Sequence, residues 1–267
     1  MNFTEEQINR YARHILLPEV GGNGQAQLLK SKVLVVGAGG LGSPLILYLA
    51  AAGVGKIGVI DDDLVDLSNL QRQIVHHTGD ISRPKVESAA ESILAINPDV
   101  KVEKFMKRLN ASNAMQIIAG YDLVADGSDN FSTRFLVNDA CYFAKKPLVS
   151  AAILRFDAQL ATYRPSSGIN ESDPGPCYRC VFREPPPPGQ VPSCAEAGVL
   201  GAMCGMAGSF QATEVIKELL NVGESLDGSF LVFDGLSAEI RKIKVNRDPD
   251  CPLCGERPSI KDLSIHE

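Results

Sequence analysis

The sequence predicts an α/β fold built on a doubly wound, mostly parallel sheet with antiparallel C-terminal strands. Residues 33–37, VLVVG, form the Val-rich run that a fully buried parallel strand carries. Apolar strands and helical segments then alternate as far as residue 155, the pattern of a parallel sheet covered on both faces. After Ile153 the alternation gives way to a Gly/Pro/Cys-rich stretch, and an apolar helix and two more strands complete the sheet. The 267 residues suffice for one substantial core, with 45% of them apolar and 22% charged. A formal charge of −6 argues against a duplex nucleic-acid partner, which requires a basic face. The opening MNFTEEQINRYARH is too polar for a secretory signal, so a cytoplasmic location without membrane association is expected.

Each element follows from its residues. The first thirty residues predict one or two short helices with a Gly-Gly-Asn-Gly loop at 21–24. No formal charge occurs between Val33 and Gly55, a span long enough for a bilayer, but its glycines and Pro44 divide it into strand, turn and helix (41–52). A second strand covers 56–61, and Pro84 suits the first turn of a helix running through 87–97. Strands near 100–105 and 121–126 flank a helix at 112–119, and a helix at 132–144 leads into a strand at 147–153. QLATYRP (159–165) reads as a strand antiparallel to the last. Residues 164–198, with four prolines at 185–188, form a crossover too long to be idle. A helix near 199–220 and strands at 229–234 and 238–245 follow. The expected organisation is a single domain over 1–267: a helical segment (1–30), a nucleotide-binding core (31–155), the crossover (164–198), a partner-facing helix and strands (199–250), and a cysteine-bearing tail (251–267).

Gly37-Ala38-Gly39-Gly40-Leu41-Gly42 fits G-x-G-x-x-G between a strand and a helix, the arrangement of a Rossmann-like dinucleotide fold. Glycines there let the backbone approach phosphate oxygens, and the helix N-terminus adds free N–H groups. Asp61 ends the second strand about twenty residues on, where an acid can hold ribose hydroxyls. These two features alone describe a nicotinamide dehydrogenase equally well. Ser68-Asn69-Leu70-Gln71-Arg72-Gln73 then packs hydrogen-bonding side chains around an arginine, just after Asp61-Asp62-Asp63. Lys85 starts a helix, where a cation opposes the helix dipole unless an anion lies close by. Asp129 and Asn130 follow a strand ending at Asp126, on the side where ligands bind an open sheet. One carboxylate with waters and phosphates is a normal magnesium arrangement, and capping of the next helix is the competing role for Asp129.

Seven cysteines and no export signal point away from a disulfide framework. Cys177-x-x-Cys180 and Cys251-x-x-Cys254 supply four thiolates, enough for a closed tetrahedral zinc site; two redox dithiols or an iron–sulfur site are the alternatives. Cys194 precedes a helix, where a thiol can be acidified into a nucleophile. Cys141 and Cys204 lie in apolar helices and read as buried small hydrophobes, and His76 and His77 as structural.

The strings YARHILLPEVG, GAGGLGSP, the DxD with SNLQRQ, RPK, DGSDN, CYRC, CAEAGVLG and CPLC occur in this order over nearly the whole chain. Together they resemble the MoeB/ThiF/HesA adenylyltransferases, relatives of the ubiquitin-activating enzymes. The resemblance implies adenylylation, with ATP, of the C-terminal Gly-Gly carboxylate of a small ubiquitin-like sulfur carrier, in molybdopterin, thiamine or another thiolation pathway. It implies that Gly40 and its neighbours line the ATP site together with Asp61 and Asp63, and that Ser68, Asn69, Leu70, Gln71, Arg72 and Lys85 surround the phosphates. Asp129 would bind magnesium beside Asn130, and Cys177, Cys180, Cys251 and Cys254 zinc. Arg13 would reach the neighbouring subunit's site in a homodimer. The cysteine matching Cys194 links covalently to the carrier in some relatives and is dispensable in others; a sulfurtransferase or cysteine desulfurase is a further expected partner. No C-terminal rhodanese domain is expected. An NAD-dependent oxidoreductase and a non-catalytic scaffold are the competing readings. The first leaves Lys85, Asp129 and the cysteine pairs without a role, and the second leaves the filled phosphate positions unexplained.

Overall fold

The computed structural model describes residues 3–165, 175–187, 189–192 and 194–267. Five strands run parallel: β1 (Lys32–Val36), β2 (Lys56–Ile60), β3 (Lys101–Phe105), β4 (Leu123–Asp126) and β5 (Leu148–Leu154). Next to them β6 (Asp157–Tyr163), β7 (Ser229–Asp234) and β8 (Glu239–Lys244) form an antiparallel meander. The order across the sheet is β3-β2-β1-β4-β5-β6-β7-β8. The chain steps first to one side of β1 and then to the other, so a crevice opens beyond the C-terminal ends of β1 and β4. Both the parallel core and the antiparallel end were predicted from the sequence.

Alternation along the strands loads both faces. Val33 and Val35 of β1 point to the same side as Ile57 and Val59 of β2, beneath α3 (Gly42–Ala52) and α4 (Lys85–Ile96). Leu34 and Val36 point to the other side, beneath α5 (Ala111–Ala119) and α6 (Phe131–Ala144). The long helix α9 (Gly201–Leu220) shares the first face, where Ala207, Ala212 and Val215 are buried. Its fully buried Gln211 donates from Nε2 to the carbonyls of Asp126 (2.8 Å) and Val149 (3.0 Å), tying the ends of β4 and β5 together. The uncharged run from Val33 to Gly55 thus resolves into strand, turn and helix, and among the described residues no helix is long and apolar enough to cross a membrane.

At the N-terminus α1 (Glu5–Ile15) is capped by Thr4, whose hydroxyl accepts from the Gln7 N–H at 3.1 Å while the Gln7 side chain accepts from the Thr4 N–H. The loop expected at 21–24 is instead the first turn of α2 (Gly21–Leu28). Here packing overrides the poor helix propensity of glycine. A Cβ on Gly24 would lie 3.2 Å from Val20, tighter than usual, and at ordinary contact distance from Leu220 of α9, against which α2 packs. Within the crossover, the described residues include the short helices α7 (Tyr178–Val181) and α8 (Cys194–Ala197). Residues 166–174, Pro188 and Ser193 of that predicted segment lie outside the described residues, as does the Cys194 side chain.

Candidate functional site

The crevice holds a cavity of about 680 Å³, within the range of small-ligand sites. Its floor is the turn from β1 into α3. Gly37 has φ of +90°, a conformation that other residues rarely adopt, and a Cβ on Gly42 would fall on the Gly37 carbonyl oxygen. Gly40 is closed in differently: a Cβ there would sit 2.8 Å from Cys204 Sγ and 3.5 Å from the Arg72 stem. The turn therefore presents backbone rather than side chains to the cavity, as a phosphate cradle must.

Asp61 fastens the turn to β2. Its carboxylate accepts from the Ala38 N–H at 2.8 Å and the Asp63 N–H at 2.9 Å. Burial raises its pKa, opposed by Lys85 and by these two bonds. Lys85 is 5% exposed, and its ammonium donates to Asp63 Oδ2 at 2.7 Å. The anion that a cation at a helix start requires is thus supplied by Asp63, and the pair sits in the cavity wall.

Arg72 also lines the cavity, its guanidinium held by the Ser68 carbonyl at 3.1 Å. Ser68 and Asn69 do not line it in this chain. They close a 3-10 turn, Leu67–Asn69, in which Asp66 accepts from the Ser68 N–H and hydroxyl and Asn69 Oδ1 accepts from the Asp66 N–H. Leu70 and Gln71 are likewise absent from the lining. Arg13 is exposed in the last turn of α1 and does not line its own chain's cavity.

Asp129 is exposed at the cavity edge. Helix capping, the competing role for it, belongs to Asn130, whose Oδ1 accepts from the Thr133 N–H at 2.9 Å. The Asp129 carboxylate accepts only a long bond from Asn130 Nδ2, at 3.5 Å, and an exposed carboxylate at the edge of a cavity is compatible with magnesium.

Gln73, Ser128 and Arg134 also line the cavity, and none of them was assigned a site role from the sequence. Gln73, Ser128 and Arg134 are buried, yet Gln73 Oε1, Ser128 Oγ and Arg134 Nε have no hydrogen-bond partner. Arg134 Nη2 does donate to the Ser128 carbonyl at 2.9 Å, and its Nε lies 3.7 Å from Asp126. Unpaired polar atoms at a cavity wall are costly unless a ligand or water completes them. Gln73 and Ser128 stood within strings that were read, without a role of their own, and Arg134 lies four residues beyond Asn130. Cys204 is buried as expected, but it also lines the cavity beneath Gly40. Further along, the lining passes to Ala152, Ile153 and Leu154 of β5, Val232 of β7, and Val191 and Pro192 just before Cys194.

Away from the crevice the four predicted cysteines meet. Their sulfurs all lie within 4.8 Å of one another, with Cys177–Cys251 at 3.6 Å, Cys180–Cys254 at 3.3 Å and Cys177–Cys180 at 4.0 Å. These separations are too long for disulfides and bracket the S···S edge of about 3.8 Å that four Zn–S bonds of about 2.3 Å produce. Four thiols this close share their protons, so hydrogen bonding among them lowers Cys180 and Cys251 while raising Cys177 and Cys254. The cluster is bolted to α6: Arg179 donates to Asp139 at 2.7 Å and the Tyr178 N–H to Asn138 at 2.9 Å. Burial raises the Asp139 carboxyl, but bonds from His266 and Arg179 outweigh it and hold the group below the usual range.

The comparisons agree with this geometry. The ThiF family model matches residues 11–253. A sulfur carrier protein adenylyltransferase from Thermus thermophilus is 49% identical over all of this chain and 98% of its own length. A probable adenylyltransferase/sulfurtransferase, MoeZ, from Mycobacterium tuberculosis is 48% identical over 95% of this chain and 64% of its own length. Among solved structures, Escherichia coli MccB superposes with a TM-score of 0.80 at 24% identity, covering 100% of this chain and 77% of MccB, a likeness of fold. The chain belongs to the ThiF family.

Proposed function

We propose that this protein adenylylates the C-terminal carboxylate of a small ubiquitin-like sulfur carrier at the expense of ATP, as one adenylyltransferase unit working in a homodimer. The observation that carries the reading is the glycine turn with Arg72, Lys85 and Asp129 around one cavity. The 49% identity to a sulfur carrier protein adenylyltransferase supports it.

The carboxylate attacks the α-phosphorus, an acyl–phosphate bond forms, the α–β bridge breaks, and pyrophosphate leaves. Both reactants are anions, so the site must neutralise them. Acids in the lining match its cations in number, and Lys85 already shares its charge with Asp63. One chain alone therefore supplies little net positive potential. Magnesium, held by Asp129, would supply charge where the phosphates gather, and Arg13 of a second chain would add a guanidinium. Arg72 and Lys85 orient the phosphates, and the unpaired atoms of Gln73, Ser128 and Arg134 offer further bonds to the substrate. No general base is needed, because a carboxylate is ionised at neutral pH. The apolar limb of the cavity along β5 and β7 would take the extended glycine tail, and the Val191–Pro192 wall brings the start of α8, and with it Cys194, toward the tail's end. Zinc at the four cysteines would be structural, since four thiolates leave no open position.

An oxidoreductase would use the same glycine turn and Asp61, so ligand preference separates the two readings. MgATP is expected to raise the unfolding midpoint by several degrees and NADH to leave it unchanged. Mass spectrometry of a Gly-Gly-tailed carrier incubated with enzyme and MgATP should then detect the acyl-adenylate. Stabilisation by NADH alone would reverse the assignment.

A further inference from the structure

The glycine turn is held from behind by a chain of hydrogen bonds whose protons do not balance around a neutral ring. His76 is 5% exposed, with Nε2 2.9 Å from the Ala38 carbonyl oxygen and Nδ1 2.8 Å from Ser88 Oγ. Ser88 Oγ in turn donates to Asp80 Oδ2 at 2.8 Å. Both ends of the chain can only accept. A carbonyl carries no proton, and Asp80 stays ionised because bonds from Ser88, the His77 N–H and Arg83 outweigh burial and lower its pKa to about 2. Three contacts require three hydrogens. A neutral imidazole and one hydroxyl bring two; an imidazolium and one hydroxyl bring three. A neutral His76 must therefore set two lone pairs against each other at one of the three contacts.

The charges that face the ring decide when it is protonated. Lys85 faces it from α4, Asp80 and His77 from the turn before α4, and the glycine turn presents only the Ala38 carbonyl. Burial and Lys85 disfavour the charged ring, whereas the Ala38 carbonyl and Asp80 favour it. A triphosphate seated on the turn places negative charge beside Lys85 and tips that balance toward the imidazolium.

We infer that His76 is a positioning residue for the nucleotide turn, and that it takes up one proton from solvent when the triphosphate binds. Ala38 is then fixed on both sides, its N–H by Asp61 and its carbonyl by the charged ring. The step moves a proton from buffer to Nδ1 or Nε2 and breaks no covalent bond in the chain. It rests on the nucleotide reading above.

Titration calorimetry of MgATP near neutral pH, in buffers of differing ionisation enthalpy, tests it. For the wild type the observed binding enthalpy should change with the buffer, reporting net proton uptake. His76→Gln can still donate to Ala38 but cannot titrate; it should bind MgATP within about tenfold of wild type, as the loss of a single bond allows, and lose the buffer dependence. Ser88→Ala keeps the ring and removes its second acceptor, so uptake should shrink without disappearing. Nitrogen-15 NMR of the ring should show one protonated nitrogen in the free enzyme and two with MgATP. A buffer-independent enthalpy in the wild type, or equal proton uptake in His76→Gln, would overturn the inference. Failure of the wild type to bind MgATP at all would overturn the nucleotide reading, and the inference with it.

Discussion

Asp129 illustrates how single residues divide the work, because Asn130 next to it caps α6 and the acid, held only by a 3.5 Å bond from Asn130 Nδ2, stays exposed at the cavity edge. Arg72→Ala and Asp129→Ala should each lower ATP–pyrophosphate exchange by about a hundred- to thousandfold, the usual cost of removing a preorganised charge partner. Cys194→Ala should leave exchange largely intact, since adenylylation makes and breaks bonds only at the carboxylate and the α-phosphorus. Loss of exchange in a folded Cys194→Ala variant would break that division of labour. Most of these residues were legible because their types carry the chemistry: glycines at a strand–helix turn, a lysine against a helix dipole, an acid after a strand. The unpaired atoms of Gln73, Ser128 and Arg134 were not, because the lack of a partner exists only once the chain has folded. Asp63, expected at the nucleotide, stands in the cavity wall and is bonded there to Lys85, a contact spanning 22 positions that no local pattern encodes.

At the scale of elements, the crossover is where sequence and fold depend most on each other. Its cysteines were readable as a pair of metal knuckles, and the fold brings Cys177 and Cys180 to Cys251 and Cys254 across more than seventy residues. Cys251→Ser should release the bound metal, about one ion per chain by atomic emission, and lower the unfolding midpoint by roughly 5–15 °C. An unchanged metal content would contradict the zinc assignment. A second anchor was invisible in the sequence: Asp227 bridges to Thr162, and a Cβ on Gly175 would fall on its carboxylate. Burial raises this carboxyl from 3.8 to about 6. The folded state thus holds the proton more tightly than the unfolded chain, so this contribution to stability is fully present below about 3.8 and is lost as pH rises through about 6. Asp227→Asn should therefore gain on the wild type in thermal midpoint across that window. A constant difference from acid to neutral pH would show that Asp227 does not titrate this way. The misread loop at 21–24 belongs to the same scale, since α2 packs against α9, nearly two hundred residues away.

At the scale of the whole molecule, the doubly wound sheet fixes where the cavity lies, and the alternation of strands and helices was enough to predict that topology. Arg13 is exposed and does not line its own chain's cavity. If it serves a second copy, mixing inactive Arg13→Ala with inactive Asp129→Ala should restore about a quarter of wild-type exchange, since half the dimers then carry one intact site. No recovery on mixing would place Arg13 outside the chemistry. In the proposed reaction the cavity joins a peptide carboxylate to the α-phosphate of ATP. Isotopic exchange between pyrophosphate and ATP, measured with and without a carrier ending in Gly-Gly, tests it most directly. The account predicts rapid exchange that requires both the carrier and magnesium and disappears when the terminal glycine is removed. Tight MgATP binding with no exchange in the presence of any such carrier would contradict it.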